Sequence, residues 1–77
     1  MTSENTYKVI ELVGTSPESV EKAIENAIGR ASQTLQGLDW FEVKEIRGYI
    51  KEGQVSWYQV KIGLGFQVLD PEELTRD

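Results

Sequence analysis

The chain has 77 residues, no Cys and no His, and 13 Asp plus Glu against 8 Lys plus Arg, for a net charge of −5. One domain of this length buries only about 60% of its extended surface and needs outside support. Disulfides are excluded, the usual zinc ligands are missing, and an acidic balance argues against general nucleic-acid binding, so oligomerisation is the support expected.

Residues 1–5 and 70–77 are polar and read as flexible ends of a single domain, 1–77. The start Met1-Thr2-Ser3-Glu4-Asn5 lacks the charge and apolar core of a signal peptide. No apolar run approaches the roughly 18 residues that span a bilayer. A cytoplasmic protein is therefore expected.

Tyr7 to Val13 reads as a first strand, broken by Gly14-Thr15-Ser16-Pro17. Ser16 is the predicted N-cap of a helix, with Pro17 at its first position and Glu18 on the positive end of its dipole. The helix is predicted to run to about Gln36, because Val20, Ala23, Ile24, Ala27, Ile28, Ala31 and Leu35 recur at steps of three and four. Gly37 is the predicted C′ residue.

A second strand is predicted from Asp39. Phe41 and Val43 have one parity and Ile46 and Ile50 the other. One extra residue near Lys44-Glu45 would return all four to the helix side. Trp40, Glu42, Arg47 and Tyr49 would then share the open face. Lys51-Glu52-Gly53-Gln54 reads as a hairpin turn with Gly at a positive φ. A third strand runs from about Val55 to Val68, apolar at its even positions from Tyr58 onward. Its odd positions carry Trp57, Gln59, Lys61, Gly63, Gly65 and Gln67. Glycines within a strand mark a close approach by another backbone or a ligand.

The expected fold is α+β, in the order β-α-β-β. A right-handed crossover makes the first two strands parallel in direction, and the third runs antiparallel between them. The three-stranded antiparallel sheet is partly wrapped around one helix. Its other face, with Trp40, Tyr49, Val55, Trp57 and Gln59, has nothing left to cover it, which marks an interface or a ligand site. An aromatic plate, an amide and low relief on one face suit a flat heterocycle with a polar edge. No catalytic constellation stands out. Thr15-Ser16 lacks an evident base, no Gly-rich phosphate loop occurs, and no metal cage follows from the scattered carboxylates.

Several segments together resemble the dodecin family, in particular its bacterial branch. They are Val13-Gly14-Thr15-Ser16, Arg30-Ala31 through Thr34-Leu35, Leu38-Asp39-Trp40-Phe41-Glu42-Val43 with Ile46-Arg47-Gly48, and Tyr58-Gln59-Val60 with Gly65-Phe66. The similarity covers about residues 6–68. The resemblance implies a hollow homododecameric shell that binds flavin, FMN or riboflavin, in pairs on twofold axes. It implies that Trp40 sandwiches the pair, that Gln59 hydrogen-bonds the isoalloxazine edge, and that Arg47 lies near the flavin. Gln67 stands where an Arg is usual, which weakens the case for FMN over riboflavin. Tyr49 completes the candidate site on the same face. Some bacterial members also bind coenzyme A; Arg30 and Lys8 remain here, but Ser32 and Gln33 replace further basic residues, so coenzyme A is a secondary expectation. The function implied is flavin storage or sequestration and photoprotection, without catalysis. The alternatives are an oligomeric structural or interaction module with no small ligand and, behind it, a cofactor-free oxygenase.

Overall fold

The computed structural model describes residues 6–68. The expected flexible ends, 1–5 and 70–77, lie outside the described residues. The elements are β1 (Thr6–Ser16), α1 (Val20–Ala31), β2 (Leu38–Lys51) and β3 (Gln54–Val68). They form one sheet in the order β1-β3-β2, with β3 antiparallel to both neighbours. This is the expected β-α-β-β arrangement.

Two element ends differ from expectation. β1 continues through Gly14 and Thr15 to Ser16, because Val60, Gln59 and Tyr58 of β3 supply partners that far. Ser16 is buried, and its Oγ accepts from the Glu18 amide at 2.9 Å. The N-cap is instead Ser19, whose Oγ accepts from the Lys22 amide at 3.0 Å. Pro17 lies in the bend before the helix rather than at its first position. At the other end the helix stops at Ala31 and caps on Ser32. The Ser32 hydroxyl donates to the Gly29 carbonyl at 2.8 Å, and Ser32 and Thr34 carry hydroxyls that compete for backbone groups and propagate a helix poorly. Gly37 does take a positive φ of 80°, but as the entry to β2, where its carbonyl accepts from the Gln67 amide.

The expected irregularity at Lys44 is present, as a register shift between Val43 and Glu45. It keeps Phe41, Val43 and Ile46 on the helix side, opposite Leu64, Ile62 and Val60. Two further shifts occur. One makes Asp39 the extra residue between Leu38 and Trp40; the other lies between the pairs Tyr49–Trp57 and Ile50–Val55 and leaves Ser56 extra. The second moves Val55 to the helix side, opposite Ile50, and corrects its expected place on the open face. Glu52 and Gly53 both have positive φ, as the tight two-residue hairpin between Lys51 and Gln54 requires.

The core consists of Ala23, Ala27 and Ala31 of the helix against Val60, Ile62 and Leu64 of β3. Small alanines let the helix lie close, and Gly14 of β1 lets it lie closer still. A Cβ at Gly14 would fall within 3.0 Å of the Ala23 carbonyl oxygen and of the Ala27 Cβ. The helix packs chiefly on β1 and β3. On β2, Phe41, Val43, Ile46 and Ile50 therefore stay exposed. The radius of gyration is 16.1 Å, against about 11 Å for a compact chain of this length. Among the described residues, no helix is long and apolar enough to cross a membrane.

Candidate functional site

The sheet face away from the helix holds the candidate residues, but it holds them in two groups. Arg47 stands directly opposite Gln59, and Tyr49 opposite Trp57, toward the hairpin. Trp40 stands opposite Gly65, and Gln67 opposite Tyr7, at the far end. Gly65 is six steps from Gln59 along β3, which is about 20 Å at strand rise. Trp40 and Gln59 share a face, yet one chain does not bring them to the same three-ring ligand.

At the first group, Val13, Glu45, Arg47, Gln59 and Lys61 line a groove of about 380 Å³. The Arg47 Nη2 donates to Glu45 Oε1 at 2.6 Å. This bond, then the charges of Arg47 and Lys61, holds the Glu45 carboxyl below its usual range. The Gln59 amide offers both a donor and an acceptor. Tyr49 and Trp57 do not line this groove; they pair with each other one step along the ladder.

At the second group, the indole of Trp40 lies across β3 at Gly65. A Cβ there would fall within 3.0 Å of the indole carbons Cδ2, Cε2 and Cζ2. Gly65 is therefore the seat of Trp40, and Trp40 as a whole keeps 40% of its surface exposed. Gly63 plays a lesser version of this role for Lys44, whose Cε is 3.2 Å from the position of an added Cβ. Lys44 reaches Glu42 at 3.4 Å and Glu11 at 4.0 Å from there. The strand glycines thus make room for side chains of β2.

Tyr7 closes the second group. Its hydroxyl donates to Asp39 Oδ2 at 2.8 Å, and its ring centroid is 6.1 Å from that of Trp40 at an interplanar angle of 47°. The hydrogen bond, with desolvation and the charge of Asp39, raises the Tyr7 phenol above its ordinary value. Neither Tyr7 nor Asp39 was a candidate from sequence; the signal that finds them is the strand register, which sequence does not carry.

Gly65→Ala is expected to lift the indole from the sheet. The near-UV circular dichroism of Trp40 should collapse while far-UV ellipticity persists. An unchanged near-UV band would mean the ring does not rest there.

A second groove, of about 620 Å³, lies between α1 and the free edge of β1. Arg30, Gln33, Glu25 and Asn26 line it, and the Asn26 amide donates to the Thr15 carbonyl at 3.0 Å. Lys8 is not among the lining residues.

A three-stranded sheet with one helix on one face and an aromatic, polar opposite face defines a small α+β domain with one open sheet face. The dodecin profile matches residues 6–69. A dodecin from Thermus thermophilus is 58% identical over 62 residues, covering 80% of this chain and 90% of that protein. The structure of dodecin from Streptomyces coelicolor matches with a TM-score of 0.82 at 54% identity, covering 90% of this chain and 99% of that one. Dodecin from Streptomyces davaonensis gives 0.81 at 53% identity, covering 88% and 100% respectively. The chain belongs to the dodecin family.

Proposed function

We propose that the chain is the subunit of a hollow homododecamer that stores or sequesters flavin and quenches its photochemistry. The observation that carries this reading is the Trp40 indole, seated on Gly65 with its outer side free. A missing Cβ has made a flat aromatic platform on an open face, which fits a flat heterocycle. When bound, a flavin supplies the excited-state electron acceptor for which an electron-rich indole is a ready donor.

The residues of the chain do the rest. Trp40 stacks and donates. Gln59 offers an amide for the mixed donor and acceptor edge of the ring. Because Trp40 and Gln59 lie about 20 Å apart along β3, a complete site takes them from different subunits. The site then forms only on assembly, with two tryptophans enclosing a ligand pair. Arg47 approaches the ligand by giving up part of its contact with Glu45. The uncovered Phe41, Val43 and Ile46 beside the helix supply apolar area for subunit contacts. Coenzyme A is a secondary ligand in this reading, with Arg30 in the α1–β1 groove but no Lys8 beside it. The protein acts by holding and stacking its ligand, without turnover, in the cytoplasm.

Riboflavin, FMN and FAD titrated separately, with flavin fluorescence as the readout, test this. Bound flavin should lose its emission, and sedimentation should give a dodecamer. Gln67 is expected to leave riboflavin competitive with FMN, because a neutral amide lacks the charge-assisted contact Arg makes with phosphate. Gln67→Arg should shift the affinity ratio toward FMN. An unchanged ratio would place residue 67 away from the phosphate. A stable monomer that takes up no flavin would overturn the whole reading.

A further inference from the structure

We infer that Tyr7 and Asp39 form a clamp that fixes the pose of Trp40, making Tyr7 a positioning residue for the stacking platform. The part of this that concerns flavin rests on the reading above; the part that concerns the indole does not.

Three observations converge on one ring. Gly65 supports the indole from below. Tyr7, from β1, packs beside it, with ring centroids 6.1 Å apart and planes tilted by 47°, within the contact range of aromatic pairs. Asp39 is the extra residue of the irregularity immediately before Trp40, and its carboxylate takes the Tyr7 hydroxyl at 2.8 Å. Beta irregularities re-aim side chains, and this one aims Asp39 across β3 to β1. The hydrogen bond therefore ties the two outer strands together over the middle one, beside the indole.

The geometry has a use. Trp40 is on an edge strand with 40% of its surface exposed, and an exposed side chain hops between rotamers in picoseconds to nanoseconds. A stacking platform that hops must be ordered at each binding event, and ordering a side chain costs free energy. With Gly65 beneath and Tyr7 at its edge, the ring is ordered before ligand arrives. Charge alone does not explain the pair: both groups are exposed, and an exposed hydrogen bond contributes little to the fold.

The test uses the intact assembly in a Trp57→Phe background, so that Trp40 is the sole indole. Time-resolved fluorescence anisotropy is recorded without flavin. Tyr7→Leu and Asp39→Ala should raise the amplitude of the sub-nanosecond component about twofold or more. Tyr7→Phe, which keeps the ring and loses only the hydroxyl, should give an intermediate rise and guards against misfolding of the larger changes. Asp39→Asn, whose amide oxygen still accepts from the hydroxyl, should behave as native. With riboflavin, Tyr7→Leu should weaken binding by about two- to tenfold and leave residual emission from bound ligand. Native anisotropy in both Tyr7 variants overturns the clamp. A native protein that binds no flavin overturns the flavin reading instead, and the ligand-free anisotropy still decides the clamp.

Discussion

Trp40→Ala should weaken riboflavin binding by about thirty- to two-hundredfold. A large aromatic ring buries roughly 150–250 Å², but one side of this indole is already spent on Gly65. About half of that area, at about 25 cal/mol per Å², gives roughly 2–3 kcal/mol for the ligand-facing side, which converts to that range. Trp40→Phe separates packing from chemistry. A phenyl ring keeps a flat apolar surface, so much of the affinity should remain. It is a far poorer electron donor than indole, so much of the quenching should be lost. Trp57→Phe should change neither strongly, because Trp57 faces Tyr49 and does not line the Arg47–Gln59 groove. Lost quenching in Trp57→Phe with retained quenching in Trp40→Phe would reverse the roles of the two residues.

Gly14→Ala should lower the melting temperature by about 5–20 °C. The new methyl would meet the Ala23 carbonyl oxygen and the Ala27 Cβ, and the first of these is helix backbone that no rotamer change can move. The helix must lift from β1 and β3, where it covers nearly all of the core. Overpacking of this kind costs about 1–3 kcal/mol, and in a domain this small each kcal/mol shifts the midpoint by about 4–8 °C. Gly29→Ala is the matched control. Nothing lies within 4 Å of its added Cβ, and in the last turn of the helix Ala still outranks Gly, by up to about 1 kcal/mol. The control should stabilise. If both variants melted alike, close approach at Gly14 would not be what holds the helix down.

The element order and the irregularity at Lys44 were legible because they leave a mark in alternation. Phe41 and Val43 establish one parity and Ile46 violates it, so one residue must be extra. The irregularity at Asp39 comes at the strand's start, before any alternation exists to be broken. The one at Ser56 lies between Val55 and Trp57, two apolar residues whose shared parity hides the slip. The N-cap falls at Ser19 and not at Ser16, although Ser16-Pro17-Glu18 carries the residue types of a helix start. Only the pairing of Ser16 with Tyr58 shows that the strand is still running there. At the site, the face of each candidate follows from parity, whereas its distance from the others follows from register. Hence parity puts Trp40 and Gln59 on one face, as the structure has them, while the Gly65 seat and the Tyr7–Asp39 bond need the register.

The exposed helix-side stripe of β2 carries a thermodynamic consequence. A chain that leaves Phe41, Val43, Ile46 and Ile50 in water and, among the described residues, buries a core of six side chains has little folding free energy of its own. Where neighbours cover that stripe, folding and association become one equilibrium, and mass action governs both. The midpoint of thermal unfolding then climbs with total protein concentration. Dilution yields unfolded chain in place of folded monomer, and the cell's expression level becomes a determinant of the subunit's stability.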